Sequence, residues 1–358
     1  MKLQKEAIIS DFDTLNSKED LATLISKYFG SKEDEGSHPI QFRDLDYFSR
    51  SKYSYKSYYS FDLPKKSGGF RKIHAPVNKL RAIQKILNNA FKVVFEFHDA
   101  ATGFILNRSI VDNAQRHVGK SYILNIDLQD FFHSFERSQL KTFFMGYPFY
   151  LNGNREPIAY MLSCLCTYPI EMNDQIKYVL PQGSPVSPTL TNILSERLDK
   201  KLTGIAKRFN LIYSRYADDI TFSGEYDFIE NQDFIQELKR IIEDGQGKKI
   251  NDSKTRYQTY NDRQEVTGLI VNSKVNVNRK YVKQLRMWLY YWEKYGYSKA
   301  ESLFKSDYLK EKGHVKNPNS KMENVLSGKL DFLKMVKGKT DLTYLGLLNR
   351  YNKLMTDK

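Results

Sequence analysis

The sequence predicts an α+β protein: an antiparallel sheet with helices packed on it, followed by a helical, basic C-terminal region. Three observations predict this. Aromatic and β-branched runs begin at Tyr122 and flank Asp218-Asp219, through Ile212, Tyr213 and Tyr216 before the pair and Ile220, Thr221 and Phe222 after it. Between such runs lie stretches with one apolar face, such as Leu80, Ile83, Leu87, Ala90, Phe91 and Val94. Beyond Asn278 the helical pattern continues, with Tyr281, Leu285, Leu289 and Trp292 on one side and basic residues between them.

A chain of 358 residues is long enough for a large core and two or three subdomains. Its 41% hydrophobic content excludes a disordered chain, and no run approaches a membrane span or a signal-peptide core. Cys164 and Cys166 are one residue apart, which suits neither a disulfide framework nor a four-ligand zinc site; they read as buried small residues in a reducing cytoplasm. Net charge is +14, and residues 279–358 hold 18 Lys plus Arg against 8 Asp plus Glu. A basic surface rich in aromatics suits a polyanion, nucleic acid first. The apolar periodicity of the same region argues against a tail that only aids solubility.

In order along the chain, Ser17-Lys-Glu-Asp20 opens an amphipathic helix that Gly30 closes, and residues 31–38 read as a loop. Residues 43–60 interleave Tyr47, Phe48, Tyr53, Tyr55, Tyr58 and Tyr59 with cations, a pattern that serves base stacking and packing against a neighbouring subdomain equally well. Residues 61–76 read as strand, Gly68-Gly69 turn, strand, ringed by Lys65, Lys66, Arg71 and Lys72. Such a ring can grip a triphosphate or simply be solvated. Asn113 and His117, four apart, share a helix face, and a lone His is more often a structural hydrogen-bonder than a catalyst. Residues 136–178 read as mainly helical, with a polar loop at 152–156. Ser187 and Pro188 start a helix that runs to about Phe209, and Gly183 before it lets a ligand approach the backbone. A further helix spans Phe228 to about Ile242, residues 248–277 form short strands, residues 313–320 a loop, and 325–338 a helix.

Asp127 falls near the end of its apolar strand, where an acid needs a partner or a metal. Asp218 and Asp219 sit at a hairpin tip, out of the core and side by side, where their repulsion costs stability. An Asp-Asp turn is usually just solvated, but strand pairing can bring all three acids together. Three carboxylates around two Mg²⁺ ions form a site for in-line nucleotidyl transfer, with Asp127 and Asp218 the better bridging candidates.

Tyr216-Ala-Asp-Asp219, Asn125-Ile-Asp-Leu-Gln-Asp130 and Pro181-Gln-Gly-Ser-Pro185, in this chain order, resemble the signature motifs of bacterial reverse transcriptases. Asn113-Ala-Gln-Arg-His117 and Val266-Thr-Gly268 resemble motifs of the retron group, and residues 61–76 and Gly328-Lys-Leu-Asp-Phe332 also fit; the likeness covers about 60–340. The resemblance implies a right-handed fingers–palm–thumb fold, with an N-terminal extension at 1–60, fingers at 61–115 (140–185 contributing), palm at 116–278 and basic helical thumb at 279–358. It assigns Asp127, Asp218 and Asp219 to two Mg²⁺ ions. Lys65 and Arg71 would hold the dNTP triphosphate, Leu128 and Gln182 would lie at the nucleotide, and Phe132 would stack under the sugar and exclude a 2′-hydroxyl. Lys254 would protonate the pyrophosphate. Asn113, His117, Val266, Thr267 and Gly268 would serve nucleic-acid binding.

The resemblance implies an RNA-directed DNA polymerase that copies part of a cognate non-coding RNA into attached single-stranded DNA, primed from a guanosine 2′-hydroxyl, in anti-phage defence. It implies a separate effector protein, allows a higher-order assembly, and requires no membrane. The rival readings are a reverse transcriptase of another bacterial lineage, group II intron-like or abortive-infection type, and a binding protein that keeps the fold without catalysis.

Overall fold

The computed structural model describes residues 4–29, 40–65, 68–172, 174–310, 317 and 319–357. Lys66, Gly30 with the 31–38 loop, and most of the 313–320 loop lie outside them. The strands are β1 (Tyr58–Pro64), β2 (Phe70–Pro76), β3 (Tyr122–Asp127), β4 (Tyr168–Met172), β5 (Gln175–Val179), β6 (Ile212–Tyr216), β7 (Asp219–Gly224), β8 (Arg256–Thr259), β9 (Glu265–Val266) and β10 (Leu269–Ile270). β6, β7, β3 and β8 form, in that order, a four-stranded antiparallel sheet; β1–β2, β4–β5 and β9–β10 are separate antiparallel hairpins.

The central sheet has two unlike faces because its strands alternate in sequence. Leu124 and Ile126 of β3, Tyr213 of β6, and Ile220 and Phe222 of β7 pack into the larger core, with Leu198, Leu202 and Ile205 of helix Glu196–Arg208. The opposite face carries Asn125 beside Thr221, and Ser214 beside Thr221 on the other side. Asn125 Nδ2 donates to Thr221 Oγ1 at 3.1 Å. This polar row ends, two residues along, at Asp127.

Helices Lys5–Asp13, Lys18–Phe29 and Phe42–Ser49 belong to the larger core, packing on helices Asn78–Val94 and Glu156–Cys166. Ser17 and Asp20 cap the second of them reciprocally, as expected. The aromatic stretch that follows splits: Phe48 and Tyr58 are buried, whereas Tyr47, Tyr55 and Tyr59 are exposed. Helices Arg279–Tyr295, Tyr297–Lys310, Met322–Lys337 and Leu342–Thr356 enclose a second core with Ala114, Ile123 and the β9–β10 hairpin. This mixed, antiparallel architecture is a fingers–palm–thumb fold, with the four-stranded sheet as palm and the C-terminal helices as thumb. Among the described residues, no helix is long and apolar enough to cross a membrane. Cys164 and Cys166 are free and buried.

Three expectations need correction. Residues 168–172 and 175–179 pair as the strands β4 and β5 rather than forming helix. The helix expected from Ser187 to Phe209 is two, Ser187–Leu194 and Glu196–Arg208, joined at Ser195. The one expected from Phe228 begins at Gln232 and becomes a wider π-turn at Arg240–Asp244.

Candidate active site

β3 and β7 pair so that Asp127 lies directly opposite Asp219. Tyr216 pairs with Asp219, which leaves Ala217 and Asp218 as a two-residue hairpin loop. Ala217 takes φ 57°, the positive value that tight hairpin turns need, and such a conformation in a residue with a Cβ is strained. Close packing holds it: a Cβ on Gly103 would lie 2.9 Å from the Ala217 amide nitrogen. The Asp218 carbonyl accepts from the Leu128 N–H at 3.0 Å, drawing the tip onto the residue after Asp127.

Behind the hairpin sits a buried ion pair absent from the sequence reading. Arg215 and Asp199 have fully buried side chains, and Arg215 Nη2 and Nε donate to the Asp199 carboxylate at 2.6 and 2.8 Å. Tyr213 donates to the same carboxylate at 2.7 Å. Arg215 Nη1 reaches Asn192 Oδ1 and the Ala217 carbonyl, both at 3.1 Å. A planar guanidinium that spans all these acceptors fixes the strand end that presents Asp218. The signal was an Arg within an apolar strand and an Asp on the apolar face of a helix.

The expectation that the tip lifts both acids out of the core is corrected, since Asp218 and Asp219 are half-buried. Burial raises the Asp218 carboxyl above its usual range, and Asp127's charge adds to the rise. Burial, then the Asp218 charge, pushes Asp219 up to about 7 against the pull of Arg256. Asp127 has cationic company. Lys254 Nζ lies 2.9 and 3.1 Å from its two oxygens, and Asn251 Nδ2 donates at 3.1 Å.

Among the described residues, no trio of His, Cys, Asp or Glu forms a ready-made metal cluster. The donor set still fits divalent magnesium: it is all hard oxygen, carried on two paired strand ends and the turn between strands. The Asp127 charge helps raise Asp218 and Asp219, and the Asp218 charge helps raise Asp219, a repulsion that a divalent cation would relieve.

A cleft of about 440 Å³ opens over the acids. It brings together Asp127, Asp218, Lys254 and Leu128 from the palm with Lys65 and Arg71 from the β1–β2 hairpin. Phe132 and Gln182 complete the predicted set, and Asp219 is not among the lining residues. Phe70, Lys72, Asp130, His133 and Asn251 also line it; of these Lys72 stood out in sequence by its charge and Asp130 as the end of the Asn125–Asp130 motif. The role expected for Gly183 changes hands. A Cβ there would lie 2.7 Å from Ile73 Cγ2 and 2.8 Å from the His74 carbonyl, so its bareness admits strand β2 rather than a ligand. The His74 N–H then donates to the Gln182 carbonyl at 2.8 Å, docking the basic hairpin beside Gln182.

The family profile "Reverse transcriptase (RNA-dependent DNA polymerase)" matches residues 63–346. The chain belongs to the reverse transcriptase family. Its sequence likeness within that family is to the retron type. It is 34% identical over 247 residues to the retron Mx65 reverse transcriptase of Myxococcus xanthus, covering 66% of this chain and 56% of that protein. It is 35% identical to the retron Mx162 enzyme of the same organism (64% and 51% covered) and 33% identical to the retron Ec86 enzyme of Escherichia coli (60% and 63%). The chain thus matches between about half and two thirds of the length of these relatives. Among solved structures, a telomerase from Candida albicans with a fragment of telomeric RNA aligns at TM-score 0.44 and 11% identity over 86% of this chain and 66% of its own, too loosely to carry inference.

The two retron-like motifs of this reverse transcriptase meet at the boundary between palm and thumb. Asn113 and His117 are fully buried. The His117 ring nitrogens lie 2.6 Å from Ser223 Oγ and 2.7 Å from Ser214 Oγ, so it bridges β7 and β6, and burial drives its pKa down to about 3. Asn113 Oδ1 accepts from Thr102 at 2.8 Å. Both side chains point inward and brace the polar face of the palm. Val266 is buried in the second core, whereas Thr267 and Gly268, with φ 47° and 80°, form the β9–β10 turn against the Ile110 carbonyl.

Proposed function

We propose that this chain is a retron RNA-directed DNA polymerase that extends DNA on a cognate non-coding RNA. The observation that carries the reading is one cleft in which carboxylates from β3 and the β6–β7 turn face the cations of the β1–β2 hairpin across Phe132 and Gln182. Arg71 and Lys65 hold the triphosphate of the incoming dNTP in place for in-line attack. Phe132 supports the sugar and leaves no room for a 2′-hydroxyl, and Leu128 and Gln182 border the nucleotide. Asp127, Asp218 and Asp219 would hold two Mg²⁺ ions. When bound, these supply activation of the attacking hydroxyl and charge stabilisation of the pyrophosphate. Lys254 leaves Asp127 and donates a proton to the departing pyrophosphate.

In this reading, residues 1–60 extend the fingers of 61–115, the palm runs from 116 to 278, and the basic helices of 279–358 hold structured RNA. Thr267 and Gly268 contact RNA at the palm–thumb boundary. Synthesis starts from an RNA 2′-hydroxyl and leaves branched RNA–DNA (msDNA) in the cytoplasm, serving anti-phage defence with a separate effector, in a complex open to higher-order assembly.

Two measurements test this. Metal-dependent dNTP incorporation on primed RNA should vanish in Asp218→Asn; activity that survives sinks the assigned site. Nucleic acid co-purified from cells carrying the native flanking DNA should contain a discrete DNA that shortens after RNase and shifts again on debranching. RNA without attached DNA, from an enzyme active on supplied primers, would move the chain to another reverse-transcriptase lineage.

A further inference from the structure

Lys248 is 5% exposed, and among the described residues no carboxylate pairs with it. A buried ammonium without a counter-charge is costly, and burial brings this one down to about 7. Its partners belong to the loop that carries Phe132. Nζ lies 3.3 Å from the centre of the Phe135 ring and donates to Ser134 O at 3.0 Å and Ser134 Oγ at 2.8 Å. Ser134 ties the loop together in turn: its hydroxyl donates to the Phe131 carbonyl at 2.6 Å and its N–H to the Asp130 carbonyl at 3.0 Å. One ammonium thus closes a run of hydrogen bonds over Asp130 to Ser134, with Phe132 in the middle.

The same segment grips the other end of the loop. The Lys249 carbonyl accepts from the Gln129 N–H, and the Asn251 N–H donates to the Asp127 carbonyl, both at 2.8 Å. Residues 248–254 therefore connect the metal-binding acid with the aromatic floor of the nucleotide site. An apolar side chain at 248 would fill the same space without the desolvation penalty. What it would not supply is donors for Ser134.

We propose that Lys248 is a positioning residue for sugar discrimination: by pinning the Asp130–Ser134 loop through Ser134, it sets the Phe132 ring at the height that rejects a ribonucleotide. The inference rests on the reading of Phe132 as the sugar-excluding surface. A shift of a fraction of an ångström in such a ring opens space for one oxygen, so relaxing the loop relaxes the choice.

The test compares kcat and KM for a dNTP and its matching rNTP on primed RNA, with the full chain as wild type, Phe132→Ala, Lys248→Met and Ser134→Ala, each with a melting curve. Phe132→Ala should collapse the discrimination. Lys248→Met should lower it about tenfold, chiefly through a smaller KM for the ribonucleotide, with no loss of melting temperature. Ser134→Ala should shift it the same way by less. A folded Lys248→Met enzyme with wild-type discrimination overturns the proposal. If Lys248→Met does not fold, an unchanged ratio in Ser134→Ala overturns it instead. An unchanged ratio in Phe132→Ala overturns the sugar-excluding reading beneath it, so the two failures are distinct.

Discussion

The palm and the C-terminal helices handle charge in opposite ways. In the palm, Asp218 and Asp219 are half-buried beside Asp127, and their carboxyls are pushed upward; Lys248 is buried without an acid and is pushed downward. In the thumb, Leu285, Trp288, Leu289, Trp292, Leu330 and Leu333 form an apolar core. Apart from the buried Glu323, its described charges stay at the rim: Arg350 holds the Glu293 carboxyl below its usual range, and Arg279, Lys280, Lys283 and Arg286 line an outward groove. The thumb is built for stability. The palm keeps charges in surroundings that disfavour them, and for the acids the proposed Mg²⁺ ions would relieve that cost. Activity and stability should therefore part company in the palm and move together in the thumb.

The largest expected effect tests the palm half. Asp218→Asn should cut dNTP incorporation at least about 10³-fold, the equivalent of several kcal/mol, while the metal-free melting temperature does not fall. A large drop in melting temperature would break the contrast. Next, Trp288→Ala should cost about 3–5 kcal/mol in denaturant unfolding through the cavity it leaves in the thumb. A smaller effect sharpens the electrostatic claim. Asp219 binds its proton more tightly folded, near 7, than unfolded, near 3.8. Its contribution to stability is thus complete below the unfolded value and lost as pH rises through about 7. Without metal, Asp219→Asn should therefore stabilise the protein by about 1–3 kcal/mol at pH 8 and by little at pH 3; a gain independent of pH would contradict this. The smallest effect belongs to the thumb groove. Arg286→Gln should flatten the salt dependence of RNA binding by about one unit of log–log slope without changing its unfolding midpoint.

Much of the site was legible because strands alternate. Ile126-Asp127 and Asp219-Ile220 each set an acid beside an apolar neighbour in a strand, and Lys65, Arg71, Phe132, Gln182 and Lys254, singled out by their motifs, line one cleft with Asp127 and Asp218. Partnerships made across long separations were not legible. His117 meets serines 97 and 106 residues away and lies in the turn past the end of helix Ile110–Gln115, so the helix face expected to be shared with Asn113 does not hold, and its inward direction was hidden. The Asp199–Arg215 pair is closer in sequence but joins a helix to a strand, and neither pattern announces the other. The β4–β5 hairpin was misread because short apolar runs beside a real helix suit both periods. Nothing in the sequence sets Lys248 apart from the exposed Lys249 beside it; burial does.

The facing of Asp127 and Asp219 on two-sided strands also constrains how the chain can vary in length. One residue inserted within Tyr122–Asp127 turns that strand over, sending Asn125 toward the apolar helices and Leu124 toward the polar row. A pair of inserted residues restores the sides but moves the acid past its partner. Connections that carry no residue of the cleft, such as the turn around Gly153–Arg155, are free of this rule. Chimeras with other family members should therefore tolerate junctions in those connections, and tolerate none inside β3 or β7 that alters the residue count.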